Sequence, residues 1–272
     1  MKKIIKILLF IFILNAYSAE DYKLDVATSK VVPTFHGTVL LMKGKSRRIN
    51  KQNPTGLYLE KGQHVFAGDT IETMPDATIK FQMTDDTVIA LGVKSIFEIK
   101  NYEFQDKDKR KAIFKLGQGQ LRASIHQIAR VGDLEFHTKN TKMGVLGTEF
   151  LMNESDGQTQ VALLSGKLGI SSSDGQNKYE LTAGQYTTHK DNKNEIKSLP
   201  ENELNRLKAA QLKEEDDFKP FLELAKNTVS TKKDEAGSVG ESSEDDENQK
   251  DEDKWKKVLN ELNNSIKENN KK

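Results

Sequence analysis

Ile79-Lys80-Phe81-Gln82-Met83-Thr84-Asp85-Asp86-Thr87-Val88-Ile89-Ala90-Leu91 is the stretch on which the fold turns. Ile79, Phe81 and Met83 alternate with Lys80 and Gln82, the period-two pattern of a half-buried strand. Thr84-Asp85-Asp86 interrupts with polar residues, Thr87 to Leu91 resumes as β-branched and apolar, and Gly92 ends the run. The stretch predicts a β-hairpin, with a turn signal weaker than Asp-Gly. Working outward, strand candidates fall at 38–42, 95–99, 112–116, 120–125, 134–137, 149–152, 159–164, 168–171 and 185–188. Between 35 and 190 no sustained helical stripe occurs, and many short strands between polar turns mean a sandwich, barrel or solenoid. Residues 20–34 read as a lead-in to this domain.

A Leu-x-x-Gly pattern returns at 59–62, 116–119, 163–166 and 181–184, and Gln follows the glycine in three of the four. Glycine permits the positive φ of sharp turns, so each copy is expected to turn the chain between strands. The spacing is uneven, so the copies are not a fixed repeat.

Beyond 190 the character changes. Residues 191–229 predict short helices: Leu204, Leu207 and Leu212 give an imperfect apolar face over 201–212, Pro220 interrupts, and 221–229 adds another turn or two. The stretch 230–252 is Ser, Glu, Asp, Lys and Gly with almost nothing apolar, the composition of a disordered acidic linker. In 253–270, Trp255, Val258, Leu259, Leu262 and Ile266 share one face of a predicted amphipathic helix, with Asp253 placed to cap it and lysines near its end. A helix this short is marginal alone in water, so those five residues are the candidate docking face, for a partner or for the chain's own β domain.

At the other end, Lys2, Lys3 and Lys6 precede an apolar run from Ile7 to Leu14, and Ala16, Ser18 and Ala19 follow. Basic, apolar, small is the order of a secretory signal peptide, here 1–19, with cleavage after Ser18 or Ala19. The run breaks at Asn15, well short of the ~20 apolar residues a membrane span requires, so no stable span is expected after processing. The chain has no cysteine, which excludes thiol nucleophiles, thiolate metal sites and disulfide support and leaves the fold to its own core. A net charge of +1 argues against a nucleic-acid partner.

Chemistry-bearing patterns are scarce. His36, His64, His126, His137 and His189 form no metal-binding spacing and read as surface or turn residues. Asp85 and Asp86 are adjacent, so on a strand they face opposite sides and suit a turn better than a shared catalytic site. No Gly-x-Ser-x-Gly elbow or phosphate loop occurs, and the acidic 241–253 stretch lacks the alternating ligands of a calcium loop. No cofactor and no catalytic activity are expected.

Two stretches carry a family pattern. One is Gly62-Gln63-His64-Val65-Phe66-Ala67-Gly68-Asp69-Thr70-Ile71-Glu72-Thr73, leading through Met74-Pro75-Asp76-Ala77 into the hairpin. The other is Gly144-Val145-Leu146-Gly147-Thr148-Glu149-Phe150, followed by Val161 to Gly169 and by Leu181-Thr182-Ala183-Gly184-Gln185. Gly144 and Gly147 are expected to bend the backbone before Glu149-Phe150 enters a strand. In order and spacing these stretches resemble the FecR domain family, over roughly 36–189. Members usually have Asp-Gly where Asp85-Asp86 stands, and a basic residue where Leu146 stands. The resemblance implies a FecR-like all-β domain, a β-solenoid or two-sheet sandwich, to which the composition beyond 190 adds a short helical, largely disordered C-terminal tail. With the signal peptide at 1–19, the expectation is a free-standing exported member, without the cytoplasmic anti-sigma segment or internal membrane helix of the best-known regulators. The expected function is a non-enzymatic protein-interaction or signalling module of the periplasm or cell envelope, its partner an unidentified envelope protein. The alternative is a cell-wall or surface-structure component binding a glycan or other polymer, with Tyr58, Phe66, Phe97, Tyr102 and Phe104 as candidate aromatics.

Overall fold

The computed structural model describes residues 22–25, 30–106, 109–126, 133–145, 147–190 and 193–209. β1 (Tyr22–Asp25) and β2 (Lys30–Pro33) pair with each other within the lead-in. The body follows as β3 (Gly37–Lys43), β4 (Ser46–Ile49), β5 (Leu57–Tyr58), β6 (His64–Val65), β7 (Thr70–Thr73), β8 (Thr78–Met83), β9 (Val88–Leu91) and β10 (Ile96–Asp106). It continues as β11 (Lys109–Ser124), β12 (Leu134–His137), β13 (Thr141–Val145), β14 (Glu149–Ser155), β15 (Gln158–Ser165) and β16 (Lys167–Ser172). β17 (Tyr179–Thr182), β18 (Gln185–Lys190), β19 (Lys193–Ser198) and the helix α1 (Glu201–Ala209) complete it.

The strands form two sheets joined through one long strand. The first runs β6-β3-β8-β9-β11-β14-β15-β18-β19. The second runs β5-β4-β7-β10-β11-β12-β13-β16-β17. Neighbours are antiparallel except β11 and β12, which are parallel. Lys109 to Gln118 of β11 pair with β10 in the second sheet, whereas Gly119 to Ser124 pair with β9 and β14 in the first. What reads locally as two strands, 112–116 and 120–125, is one strand folded over the edge of the sandwich.

Alternation explains why the sheets face each other. Ala112, Phe114 and Leu116 point inward from β11 while Lys111, Ile113 and Lys115 point out, and the same rhythm runs through β8, β13 and β16. Phe81, Phe97, Phe114, Phe136 and Phe150 form a row of fully buried rings inside. Their successive centroids lie 5.8, 5.6, 5.0 and 5.0 Å apart. Each such buried side chain contributes about 1.5–3 kcal/mol relative to exposure.

The Leu-x-x-Gly copies are corners. They stand between β5 and β6, within β11, between β15 and β16 and between β17 and β18, and at each the chain passes from one sheet to the other. Leu59, Leu116, Leu163 and Leu181 are all buried, and Gly62, Gly119, Gly166 and Gly184 have φ of 87°, 90°, 84° and 83°. The leucine plugs the edge of the core, and the glycine lets the backbone turn over it.

The hairpin of β8 and β9 forms with Ile79 opposite Leu91 and Phe81 opposite Ile89. Asp86 takes φ 63° at its turn, a left-handed conformation that Asp tolerates better than most residues and that accounts for Asp standing in place of Gly. The sheet continues past 190. β19, within the stretch read as short helices, is Lys-Asn-Glu-Ile-Lys-Ser, exposed throughout and lacking apolar alternation; pairing with β18 makes it a strand, and its charges suit a sheet edge. α1 follows, with Glu201 and Glu203 in its first turn and Arg206 and Lys208 in its last, favourable to its dipole. Leu207 is buried and Leu204 half-buried against Ala90, Leu151, Ala162 and Leu164, the outer face of the first sheet.

The predicted signal peptide over 1–19, Leu146, Leu212 and everything beyond Ala209 lie outside the described residues. That includes the acidic linker 230–252 and the candidate docking face of Trp255, Val258, Leu259, Leu262 and Ile266.

Candidate interaction site

The residues of the first family stretch knit β4 to β7. Asp69 is 1% exposed; it accepts hydrogen bonds from Asn50 Nδ2 at 2.8 Å and the Phe66 amide at 2.7 Å. Burial pushes its carboxyl above the usual range, against those hydrogen bonds and the nearby Arg48. Arg48 lies over the Phe66 ring at 5.3 Å and donates to the His64 carbonyl at 2.6 Å. Arg47 grips Glu72 through Nε, at 2.8 Å, and through Nη2. Thr73 Oγ1 donates to the Gly92 carbonyl at 2.6 Å and accepts from the Ser95 amide at 2.8 Å, and the Gln120 amide donates to Ser95 Oγ at 2.9 Å. These bonds brace the corner at Gly119.

Asp85, read as a turn residue, is also a buried anchor. Its carboxylate receives Arg110 Nη1 at 2.7 Å, with both side chains almost fully buried, and the Thr87 amide and hydroxyl at 3.1 and 3.0 Å. The Asp85 amide and Thr84 hydroxyl donate to Tyr102 Oη at 2.9 and 3.1 Å. Burial and then the Asp85 charge push the Tyr102 phenol up. His36 packs edge-on to Tyr102 at 5.3 Å.

In the second family stretch Gly147 takes φ 68° and makes the bend. Gly144 does not; it lies within β13, directly opposite Gly169 of β16, and a Cβ there would meet nothing within 4 Å. Glu149 holds Arg122 of β11 at 2.7 Å, and Phe150 enters the core. Gly166 sits so close that a Cβ would approach the Gly147 carbonyl to 2.6 Å.

A second buried polar group closes the opposite end of the sandwich. Thr138 Oγ1 shares hydrogen bonds with Thr141 at 2.9 Å and Thr159 at 2.8 Å, and the Thr159 hydroxyl donates to Glu154 at 2.5 Å. Glu154 is 3% exposed, and burial raises its carboxyl above the ordinary value despite these bonds. His189 lies beside them on β18, opposite Thr159, and is buried rather than a surface or turn residue. Local patterning does not reveal that burial, because Thr187 and His189 break no apolar run.

Among the described residues no three His, Asp or Glu side chains converge to hold a metal ion, and no helix is long and apolar enough to cross a membrane. Among the described residues the exposed large apolar side chains are Tyr22, Leu24, Val31, Leu57, Tyr58 and Ile196. Of the five aromatics considered for polymer contact, Phe97 and Tyr102 are buried, Phe66 and Phe104 half-buried, and Tyr58 alone is exposed.

The carboxylates of these ion pairs, Asp69, Glu72, Asp85 and Glu149, all lie in one stretch of chain, whereas Arg47 and Arg48 precede it. Residues 69–169 match the family model for FecR protein. Over those residues the chain is similar to FecR protein, and the motif residues within them are structural joints of the β domain. Two crystal structures of a candidate anti-sigma factor from Parabacteroides distasonis ATCC 8503, at 1.65 and 2.50 Å, are similar at 14% identity. Their TM-scores are 0.40 and 0.42, and each match covers 50% of this chain and 63% or 62% of theirs. The chain thus spans less than two thirds of the length of those structures. No curated protein matches the sequence.

Proposed function

We propose that this FecR-like protein is an exported, non-enzymatic interaction module of the cell envelope. One observation carries the reading: the buried ionisable side chains of the family region, Asp69, Glu72, Asp85 and Arg110, are engaged in tying strands together. Such groups serve the frame rather than a reacting atom, which leaves contact through outer surfaces as the module's work. Export rests on the basic, apolar, small order of 1–19. The docking face is assigned by helical spacing to Trp255, Val258, Leu259, Leu262 and Ile266.

The test is affinity capture from crosslinked envelope fractions, using the full chain, a deletion of 254–272 and a Trp255→Ala, Leu259→Ala double variant. A protein retained by the full chain and lost from both altered chains is the expected result. Retention of wall polymer alone, equal for all three, would overturn the module reading in favour of a structural, polymer-binding component. With Tyr58 the one exposed ring of the five candidates, the protein-contact reading is the better supported.

A further inference from the structure

His189 is 1% exposed, and among the described residues neither ring nitrogen has a hydrogen-bond partner. A neutral imidazole has one donor and one acceptor, and leaving both unmade in the interior is a cost that native structures seldom carry without a use. The ring is fixed by register, opposite Thr159 of β15 on one side and Asn194 of β19 on the other. The neighbouring polar groups already satisfy one another: Thr159 is engaged with Glu154 and Thr138, and Ser172 with Asp174.

The charged and titratable groups of this end are few and asymmetric. Asp174, in the turn after β16, is exposed; hydrogen bonds from Ser172 and the Gln176 amide, and the nearby His189, hold its carboxyl below the usual range. Glu154 on β14 is buried and engaged by Thr159, with Lys139 and Asp156 in the turns beside it. The Tyr179 hydroxyl on β17 accepts from Thr187 at 3.5 Å, and burial raises its phenol. Lys190 ends β18 and Lys193, its register partner, begins β19. Among the described residues, the carboxylate that acts on His189, that of Asp174, therefore stands outside, at the rim, while the ring itself is inside.

We propose that His189 is an acid-operated latch, whose protonation drives the ring out toward Asp174 and releases the β18–β19 hairpin from β15 while the phenylalanine row stays folded. The proton comes from solvent and rests on the imidazole. Among the described residues the resulting cation has no acceptor where the ring now lies; Asp174 attracts it from beyond hydrogen-bond reach, and the two pair directly only if the ring moves to the rim. The sign follows: burial holds the closed-state histidine below its ordinary value of 6.5, so the open state takes the proton first. Closure is complete above the open-state value, which pairing with Asp174 raises beyond 6.5, and is lost as pH falls from it toward the closed-state value.

Hydrogen exchange of the full chain between pH 7.5 and 5, corrected for intrinsic rates, tests this. The expected result is that amides of β18 and β19 lose up to about tenfold protection per pH unit below 6.5, while β10 and β11 keep theirs. His189→Gln should abolish that pH dependence, and Asp174→Asn should move it to lower pH. The chain's own His189 resonance, followed by NMR, provides a readout that needs no variant. Loss of protection throughout the domain, a His189 titration at or above 6.5, or unaltered opening in either variant would overturn the proposal.

Discussion

Asp85 and Arg110 meet in the interior at 2.7 Å, from positions 25 residues apart in sequence. Removing one member of such a pair leaves an uncompensated buried charge, a loss of about 3–5 kcal/mol. Arg110→Ala is expected to show that loss in urea unfolding, whereas Asp85→Asn with Arg110→Met should recover much of it. Recovery identifies desolvated charge, rather than lost packing, as the cause. Glu154 is a different case, because burial lifts its carboxyl above the unfolded value of 4.5. The folded state then binds the proton more tightly, and stability rises as pH falls through the folded value toward 4.5. Glu154→Gln keeps an acceptor for Thr159 and removes the buried charge. It is expected to raise Tm at pH 7.5 and to flatten the acid limb of a Tm-against-pH curve, a contribution opposite in sign to that of His189.

At the scale of elements, the corners decide the architecture. Gly119 and Gly62 occupy the same place in the Leu-x-x-Gly pattern with φ of 90° and 87°, yet their surroundings differ. A Cβ on Gly119 would come within 2.4 Å of Ser95 Oγ and 2.5 Å of Ser95 Cα, whereas one on Gly62 would meet nothing within 4 Å. Gly62→Ala should cost roughly 1 kcal/mol from backbone strain alone. Gly119→Ala adds a collision with backbone and should cost roughly 2–5 kcal/mol. Denaturation midpoints of the two variants check the contrast, and near-equal values would mean that β11 does not need its bend.

The hairpin, most strand positions and the four corners are legible in the sequence, because alternation and glycine placement are local. β4 and β19 are not. Arg47 and Arg48 sit in the middle of one, and the other has no apolar rhythm, so partners rather than side chains make them strands. The same limit applies to the site: Asp85 is legible as part of a turn, but its partner is set by tertiary pairing.

Across the whole molecule, the row from Phe81 to Phe150 spans both sheets and makes the sandwich one cooperative body. Phe114 lies within it, between Phe97 and Phe136, at 0% exposure. Phe114→Ala is expected to cost about 3–5 kcal/mol and to lower the folding midpoint of both sheets together, read by near-ultraviolet circular dichroism and denaturant titration. By itself the sequence determined an all-β domain between a leader-like start and a charged tail, its inward-facing residues and the places where it turns, since each follows from the chemistry of a few neighbouring residues. Only the tertiary structure decided that the halves of β11 belong to opposite sheets, that Asp85 is paired with Arg110 and that His189 is enclosed. Those outcomes depend on hydrogen bonds and desolvation between segments far apart along the chain, and no local period encodes them.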